Sequence, residues 1–362
     1  MRVALSLALL LAGCGGLRLA VVDSAYRPPS NVAVYFTVDT ASGEPVAGLT
    51  ADAFRIYEDG RPVSVSESRQ TIVNPELAAE HYTLLLVDMS GSVTESEQVP
   101  MIEQAANELT SALESHQRVG VYAFDGSAEI HRVTPFTGSS GAASAGVGRI
   151  SGFRARDPST NLHGAVVAAI RELDQAMARS TVPLRFGTIV VFTDGTDQAA
   201  RVDARDMRTA IDESTHDLFA IGVGDEIDEG TLSRIGREGY IMVDDLTAIR
   251  AAFQEISQRI VRMTQRYYLL SYCSPARAGT HRVTVEAVTE AGSGSASYEF
   301  DATGFGPNCN PDQPPPFDTS RPGSSTRTRP RAAQGRRIEV RARPAPARPA
   351  SGGGGDPEAG ME

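Results

Sequence analysis

The chain has 362 residues, of which 41% are hydrophobic, and it carries a formal net charge of −11. This length exceeds one average domain and fits two, and the apolar fraction is sufficient for a buried core. The acidic balance argues against nucleic acid as a partner, because such a surface repels phosphates.

The N terminus has the pattern of an export signal. Arg2 supplies a short positive region, and residues 3–11 form an apolar stretch too short to span a bilayer. The following run, Leu11-Ala12-Gly13-Cys14, resembles the lipobox of bacterial lipoproteins, in which the signal is cut before the cysteine and the thiol receives a diacylglyceryl group. We therefore expect residues 1–13 to be a signal peptide and Cys14 to be lipidated. The alternative is an ordinary secretory signal with a chance cysteine.

This resemblance implies a lipid-anchored protein of the cell envelope. Gly15 after the cysteine, in place of Asp, favours the outer membrane under the enterobacterial rule, although which face of the membrane the protein occupies stays open. No later segment is apolar enough over a sufficient length to cross a bilayer, so the lipid is the expected anchor. In that oxidising compartment Cys273 and Cys309 predict one disulfide, and two free thiols are the alternative.

Residues 80–264 alternate strand and helix patterns. The strand candidates are short, continuous apolar runs: Tyr82 to Val87, Val119 to Phe124, Thr188 to Phe192, Leu218 to Val223 and Ile241 to Val243. Segments with helical spacing of apolar residues separate or follow them, ending with Ile249 to Met263. The alternation predicts an α/β domain with a doubly wound, mostly parallel sheet. Ligands of such sheets bind beyond the carboxyl ends of the strands.

The flanking segments have a different character. Residues 24–78 and 266–305 contain alternating strand patterns, and neither segment has enough strands to close a sandwich alone. We therefore expect the α/β domain to be inserted into a small β-sandwich, with two independent β extensions as the alternative. Residues 306–362 are rich in Pro, Gly, Ser and Arg, which predicts a disordered tail.

Polar residues with oxygen ligands follow the predicted strands. Asp88, Ser90 and Ser92 come at alternate positions directly after the first buried strand, with Gly91 allowing a tight bend. Asp194 follows the third strand, and Thr160 opens a helix between them. One cation could therefore meet two carboxylates and three hydroxyls, the ligand type that Mg²⁺, Mn²⁺ and Ca²⁺ prefer.

This set of residues resembles the metal ion-dependent adhesion site of the von Willebrand factor type A (VWA) fold, an Asp-x-Ser-x-Ser run with a later Thr and a later Asp. The resemblance covers residues 80–264, and Asp88, Ser90, Ser92, Thr160 and Asp194 match its five positions. It implies a Rossmann-like fold and a bound Mg²⁺, Mn²⁺ or Ca²⁺ whose coordination an Asp or Glu of a partner protein completes. The flanks resemble the Ig-like segment that accompanies this domain in bacterial proteins.

Two other functions compete with cation-dependent protein binding. Haloacid dehalogenase-type phosphatases also place Asp and Mg²⁺ at a strand end, but they need a second Asp two residues later, where this chain has Ser90. We therefore expect a binding protein and not an enzyme. The other alternative is an envelope scaffold that has the fold without a regulated ligand. His163, beside the site, is interpreted as a polar helix-start residue in preference to a ligand.

Overall fold

The computed structural model describes residues 16–73, 79–95, 99–138, 141–182, 184–290, 292–317 and 335–339. Cys14, the predicted signal peptide and much of the predicted tail lie outside these ranges. Within the ranges, no helix combines the length and the apolar character needed to cross a membrane.

The strands and helices of the described residues are as follows. The strands are β1 (Leu17–Arg27), β2 (Asn31–Thr40), β3 (Phe54–Glu58), β4 (Arg61–Pro62), β5 (Thr71–Val73), β6 (Ala79–Asp88), β7 (Arg118–Phe124), β8 (His131–Thr137), β9 (Leu184–Thr193), β10 (Asp217–Val223), β11 (Gly239–Val243), β12 (Tyr267–Cys273), β13 (Thr280–Thr289) and β14 (Gly292–Asp301). The helices are α1 (Val65–Ser68), α2 (Gly91–Thr94), α3 (Val99–Leu113), α4 (Ala142–Val147), α5 (Leu162–Ala178), α6 (Ala204–Glu213), α7 (Glu229–Ile235) and α8 (Ile249–Gln265).

The centre of the molecule is a six-stranded sheet in the order β11-β10-β9-β6-β7-β8. All neighbouring strands are parallel except β7 and β8. Alternate side chains of the inner strands enter two separate apolar clusters, one beneath α3 and α8 and the other beneath α5, α6 and α7. Burial on both faces explains why these strands read as continuous apolar runs. The predicted doubly wound α/β fold is confirmed.

Two antiparallel sheets, β1-β2-β12-β5 and β14-β13-β3-β4, form the second part of the molecule. Their inner faces share one apolar cluster, to which Phe36 and Tyr268 contribute from the first sheet and Phe54 and Val285 from the second. The strands before and after the six-stranded sheet therefore make a single sandwich with the α/β domain inserted between β5 and β12. The sandwich begins at Leu17, earlier than the predicted residue 24, because β1 pairs with β2 over its whole length.

The segment beyond β14 includes two ordered stretches, although residues 306–362 are expected to be disordered from their composition. Cys309 forms a disulfide with Cys273 at the end of β12, and Phe317 packs edge-on against Tyr35. The side-chain amide of Asn31 donates to the carbonyl of Gln313 at 2.9 Å. A disulfide and two anchoring contacts hold residues 306–317 in spite of their Pro-rich composition. Residues 335–339 form the other stretch.

Candidate metal centre

The candidate site begins at the carboxyl ends of two adjacent strands. Asp88 is the last residue of β6 and Asp194 follows the last residue of β9. The two strands are parallel neighbours, and Val87 is paired with Phe192. Since the chain leaves both strands at the same edge of the sheet, the two carboxylates lie together, as the sequence predicts.

A tight turn brings Ser90 and Ser92 to Asp88. The backbone N–H of Ser90 donates to Asp88 Oδ1 at 3.0 Å, and the hydroxyls of Ser90 and Ser92 are 3.2 Å apart. Gly91 is required here, because a Cβ at this position would lie 2.9 Å from the Cβ of Pro158. Its N–H donates to the carbonyl of Pro158 at 2.8 Å, which fixes this turn against the loop that carries Thr160.

Thr160 reaches the same place from the loop before α5. Its side chain is buried, and its hydroxyl lies 3.6 Å from the point that a Cβ on Gly195 would occupy. The carbonyl of Thr160 accepts a hydrogen bond from the N–H of Ala199 at 2.9 Å, and Asn161 caps the first turn of α5. The structure thus brings together the segments that carry all five predicted ligands.

The two carboxylates carry charge that the surrounding protein does not fully compensate. Burial, and then the charge of Asp194, raise the pKa of the Asp88 carboxyl to about 7. Hydrogen bonds from the Thr193 hydroxyl, at 2.7 Å, and from the N–H of Ser90 oppose that shift. Burial also raises the pKa of Asp194, against a hydrogen bond with the Ser92 hydroxyl. Asp194 Oδ1 is buried and finds no hydrogen-bond partner among the described residues.

These features fit a hard divalent cation. Two carboxylates and three hydroxyls supply oxygen ligands of the right kind, and a cation would relieve the repulsion between Asp88 and Asp194. Asp88, Ser90 and Thr160 are buried, whereas Ser92 is exposed and Asp194 half-buried, so the site opens to solvent on one side. Within the described ranges no group of three or more His, Cys, Asp or Glu side chains could hold a metal, so this site would depend on its hydroxyls.

Three residues that contribute to the site escape the sequence analysis. The hydroxyl of Thr193 donates a hydrogen bond to Asp88, and its place directly before Asp194 at the end of β9 is the sequence feature that could have indicated this role. Glu226, in the loop after β10, adds negative charge that raises the pKa of Asp194. Asp125, which follows β7 and is fully buried, accepts hydrogen bonds from the N–H groups of Ser127 and Arg156 at 2.8 and 2.7 Å. It holds the loop that leads to Thr160.

The neighbouring polar residues have structural partners. The N–H of His163 donates to Asp197 Oδ1 at 3.0 Å, and its ring Nδ1 is 3.1 Å from Asp197 Oδ2. Asp157 accepts from the N–H of Ser159 at 3.1 Å and forms an ion pair with Arg201 at 2.8 Å. The interpretation of His163 as a helix-start residue agrees with these contacts.

The sequence comparison identifies the inserted domain. Residues 84–258 match the family model of the von Willebrand factor type A domain. This region of the chain therefore has the VWA fold, and the candidate site lies at the strand ends of the region. The comparison with curated proteins found no match.

Solved structures of VWA proteins resemble the chain at the level of the fold. Proximal thread matrix protein 1 from the mussel byssus is 14% identical with a TM-score of 0.43, over 50% of this chain and 48% of that one. The present chain thus spans about half the length of that relative, for which a form with a zinc-occupied adhesion site is also known. A von Willebrand factor type A protein from Catenulispora acidiphila is 12% identical, with a TM-score of 0.42 over 79% and 73% of the two chains. The corresponding domain of the type V pili tip protein Mfa5 from Porphyromonas gingivalis is 12% identical, with a TM-score of 0.38 over 52% and 97%.

Proposed function

We propose that this protein is a divalent-cation-dependent protein-binding module of the cell envelope. Asp88, Ser90, Ser92, Thr160 and Asp194 would hold Mg²⁺, Mn²⁺ or Ca²⁺. The bound ion would supply an electrophilic position for a carboxylate of a partner protein. The observation that carries the proposal is the pair of carboxylates, Asp88 buried and Asp194 half-buried, with Asp194 Oδ1 unpartnered among the described residues, beside three hydroxyls.

The shape of the site supports binding of a partner. Five side-chain oxygens are fewer than the six or so ligands that Mg²⁺ or Ca²⁺ takes, so at least one position stays open. The exposed Ser92 lies on the accessible side, while Asp88 closes the other side. A negatively charged partner side chain could therefore reach the ion from solvent. We propose binding and not catalysis, since Ser90 occupies the position at which the phosphatase mechanism needs an acid.

The location is part of the same proposal. It depends on the lipobox-like run ending at Cys14, which lies outside the described residues. Labelling with a radioactive or clickable fatty acid, with Cys14→Ser as the control, would test it. Label on the wild type that the variant lacks would support a lipid anchor, and an unlabelled wild type would contradict it.

Calorimetric titration tests the cation site. We expect the purified protein to bind Mg²⁺, Mn²⁺ or Ca²⁺ with at least millimolar affinity, the weak end of the range for extracellular cation modules. Asp194→Ala should abolish binding, because it removes one of the two charges. Asp212→Ala, which removes an exposed carboxylate of α6, is the matched control and should bind as the wild type does.

The partner is tested once the ion is bound. Immobilised wild-type protein should retain envelope proteins in Mg²⁺ and release them in chelator, and Asp194→Ala should retain none of them. A folded wild type that binds none of the three cations would contradict the proposal and favour the scaffold alternative. Cation binding without any metal-dependent capture would contradict the carboxylate partner alone.

A further inference from the structure

The edge of the six-stranded sheet at β11 is paired with a distant part of the chain. Arg337 forms a parallel bridge with Tyr240. The N–H of Tyr240 donates to the carbonyl of Arg336 at 3.1 Å, and the N–H of Ile338 donates to the carbonyl of Tyr240 at 2.7 Å. Both backbone groups of Tyr240 that face away from β10 are thus satisfied by an extended segment, residues 335–339, which pairs through this single bridge and is called the added strand.

Side chains reinforce this backbone pairing. Ile338 packs against the apolar cluster beneath α3 and α8. Arg337 lies 3.5 Å from Glu229, and the same carboxylate accepts a hydrogen bond from the Tyr240 hydroxyl at 2.8 Å. The added strand therefore contributes one apolar anchor and one ion pair. Because this ion pair is exposed, it fixes the orientation of the added strand more than it strengthens its binding.

Two glycines shape the acceptor surface and its occupant. Gly239 has a φ of +154°, and a Cβ there would overlap the side chain of Ile338. Gly335 approaches the end of α7, where its N–H donates to the carbonyl of Ser233 at 2.8 Å. A Cβ on Gly335 would overlap the carbonyl of Gly236. The surface thus selects glycine at one end of the added strand and an apolar residue three positions later.

The added strand is not part of the domain that it contacts. The family match ends at residue 258, and the last described residue before the strand is Phe317. The VWA sheet is complete in its six strands without residues 335–339. Residues 335–339 pair with the edge of the sheet in the same way as a peptide ligand does in β-augmentation. In that mode of binding, main-chain hydrogen bonds give affinity and side-chain pockets give specificity.

We propose that the edge of β11 is a peptide-recognition site for an extended segment of the pattern Gly-x-Arg-Ile. Residues 335–339 of the same chain are its resident, displaceable ligand. Every copy of the protein carries this segment, so the site can also accept it from a second copy. The site is separate from the cation site, because β10 lies between β11 and β9 and both β10 and β9 lie between β11 and β6; along the strands, Tyr240 is level with Val191 and Leu86.

A labelled peptide tests the proposal. Its sequence is that of residues 333–341, and its binding to the full mature chain is followed by fluorescence anisotropy. In the wild type the resident segment competes at an effective concentration on the order of millimolar, so the peptide should bind weakly. Ile338→Asp removes the apolar anchor of the resident segment and should tighten peptide binding roughly tenfold or more. The same peptide with Asp in place of Ile338 is the control and should not bind.

A second variant and a second measurement distinguish exposure of the site from misfolding of the protein. Gly335→Val displaces the resident segment from α7 without adding charge, and it should also expose the site. In both variants hydrogen exchange of the Tyr240 amide should be faster than in the wild type and should slow again with the peptide. Cation affinity serves as the folding control. Folded variants that bind the peptide no more tightly than the wild type, or that bind the Asp-containing peptide equally well, would overturn the proposal.

Discussion

At the level of single residues, Asp88 should make the stability of the metal-free protein depend on pH. Its carboxyl is fully buried, and its pKa is raised to about 7 by burial and by the charge of Asp194. The folded state thus favours the protonated carboxyl, so its contribution to stability is present below a pH of about 4 and is lost as the pH rises through about 7.

Asp88→Asn should therefore stabilise the protein in the presence of chelator. We expect the free energy of unfolding of the variant to exceed that of the wild type by roughly 2–4 kcal/mol at pH 8, and by little at pH 4. Urea denaturation at both pH values measures the difference, with Asp212→Asn as a control on an exposed carboxylate. The variant should also lose cation binding. If the free energy of unfolding depended on pH equally in the wild type and in Asp88→Asn, the ionisation of Asp88 would not destabilise the folded protein.

The sequence could indicate the candidate ligand residues because their spacing follows from the fold. Asp88 comes directly after a run of apolar residues, and Asp194 follows another run with only Thr193 between them; parallel strands place such positions at one edge. The sequence could not identify Glu226, because its influence on Asp194 depends on where the loop after β10 turns. The predicted strand ends at Phe192, and only the structure extends it to Thr193 and shows the hydroxyl of Thr193 on Asp88.

At the level of elements, the loop that precedes α5 positions Thr160. Asp125, in the turn after β7, holds this loop through the N–H of Arg156, and its backbone carbonyl accepts from the N–H of Asn161 at 3.1 Å; the N–H of Ser127 in its own turn also donates to its carboxylate. Burial would raise the pKa of Asp125, but the hydrogen bonds from Ser127 and the backbone outweigh it and lower that pKa. The ionised carboxylate is thus an internal support of the loop and not a ligand.

Asp125→Ala should destabilise the fold and weaken cation binding together. Leaving two N–H groups without their charged acceptor costs about 2–4 kcal/mol, and Thr160 loses its support. Urea denaturation and cation titration measure the two effects. Asp125→Asn, which keeps one acceptor oxygen, should fall between the wild type and Asp125→Ala. A cation affinity unchanged in a destabilised Asp125→Ala would show that the loop is positioned by other contacts.

The elements differed in how far the sequence could predict them. The inner strands β6, β9 and β10 were recognised, because burial on both faces gives continuous apolar runs. β8 was not recognised, because it is an edge strand with few buried residues and contains Pro135. An edge strand buries fewer side chains, so its sequence need not be a continuous apolar run and is harder to recognise as a strand.

At the level of the whole molecule, the disulfide closes the sandwich. Cys273 ends β12, and Cys309 lies 36 residues later, beyond β14. Replacing both cysteines with serine should lower the free energy of unfolding by about 3–4 kcal/mol, as expected for a loop of this length. Cation affinity should be unchanged, because the disulfide lies in the other part of the molecule. Thermal unfolding and calorimetry check the two expectations, and a loss of cation affinity would reveal coupling between the two parts.

The insertion of the VWA domain was predictable from the order of patterns along the chain, since each flank had too few strands for a sandwich. Its packing was not predictable. Tyr35 of β2 stacks on Phe186 of β9, and Tyr267 of β12 packs at a tilt against the same ring; these contacts join the sandwich to the starting ends of the VWA strands. Such contacts between distant segments depend on the relative placement of two completed units, which has no local signature.

This junction determines the direction in which the cation site faces. Because the sandwich packs against the starting end of β6 and the site lies at the other end of that ten-residue strand, the two are separated by about 30 Å. The sandwich therefore lies far from the candidate site and would not obstruct a molecule that approaches it. Under the proposed function, the sandwich would stand in the way neither of a large folded partner nor of a short peptide.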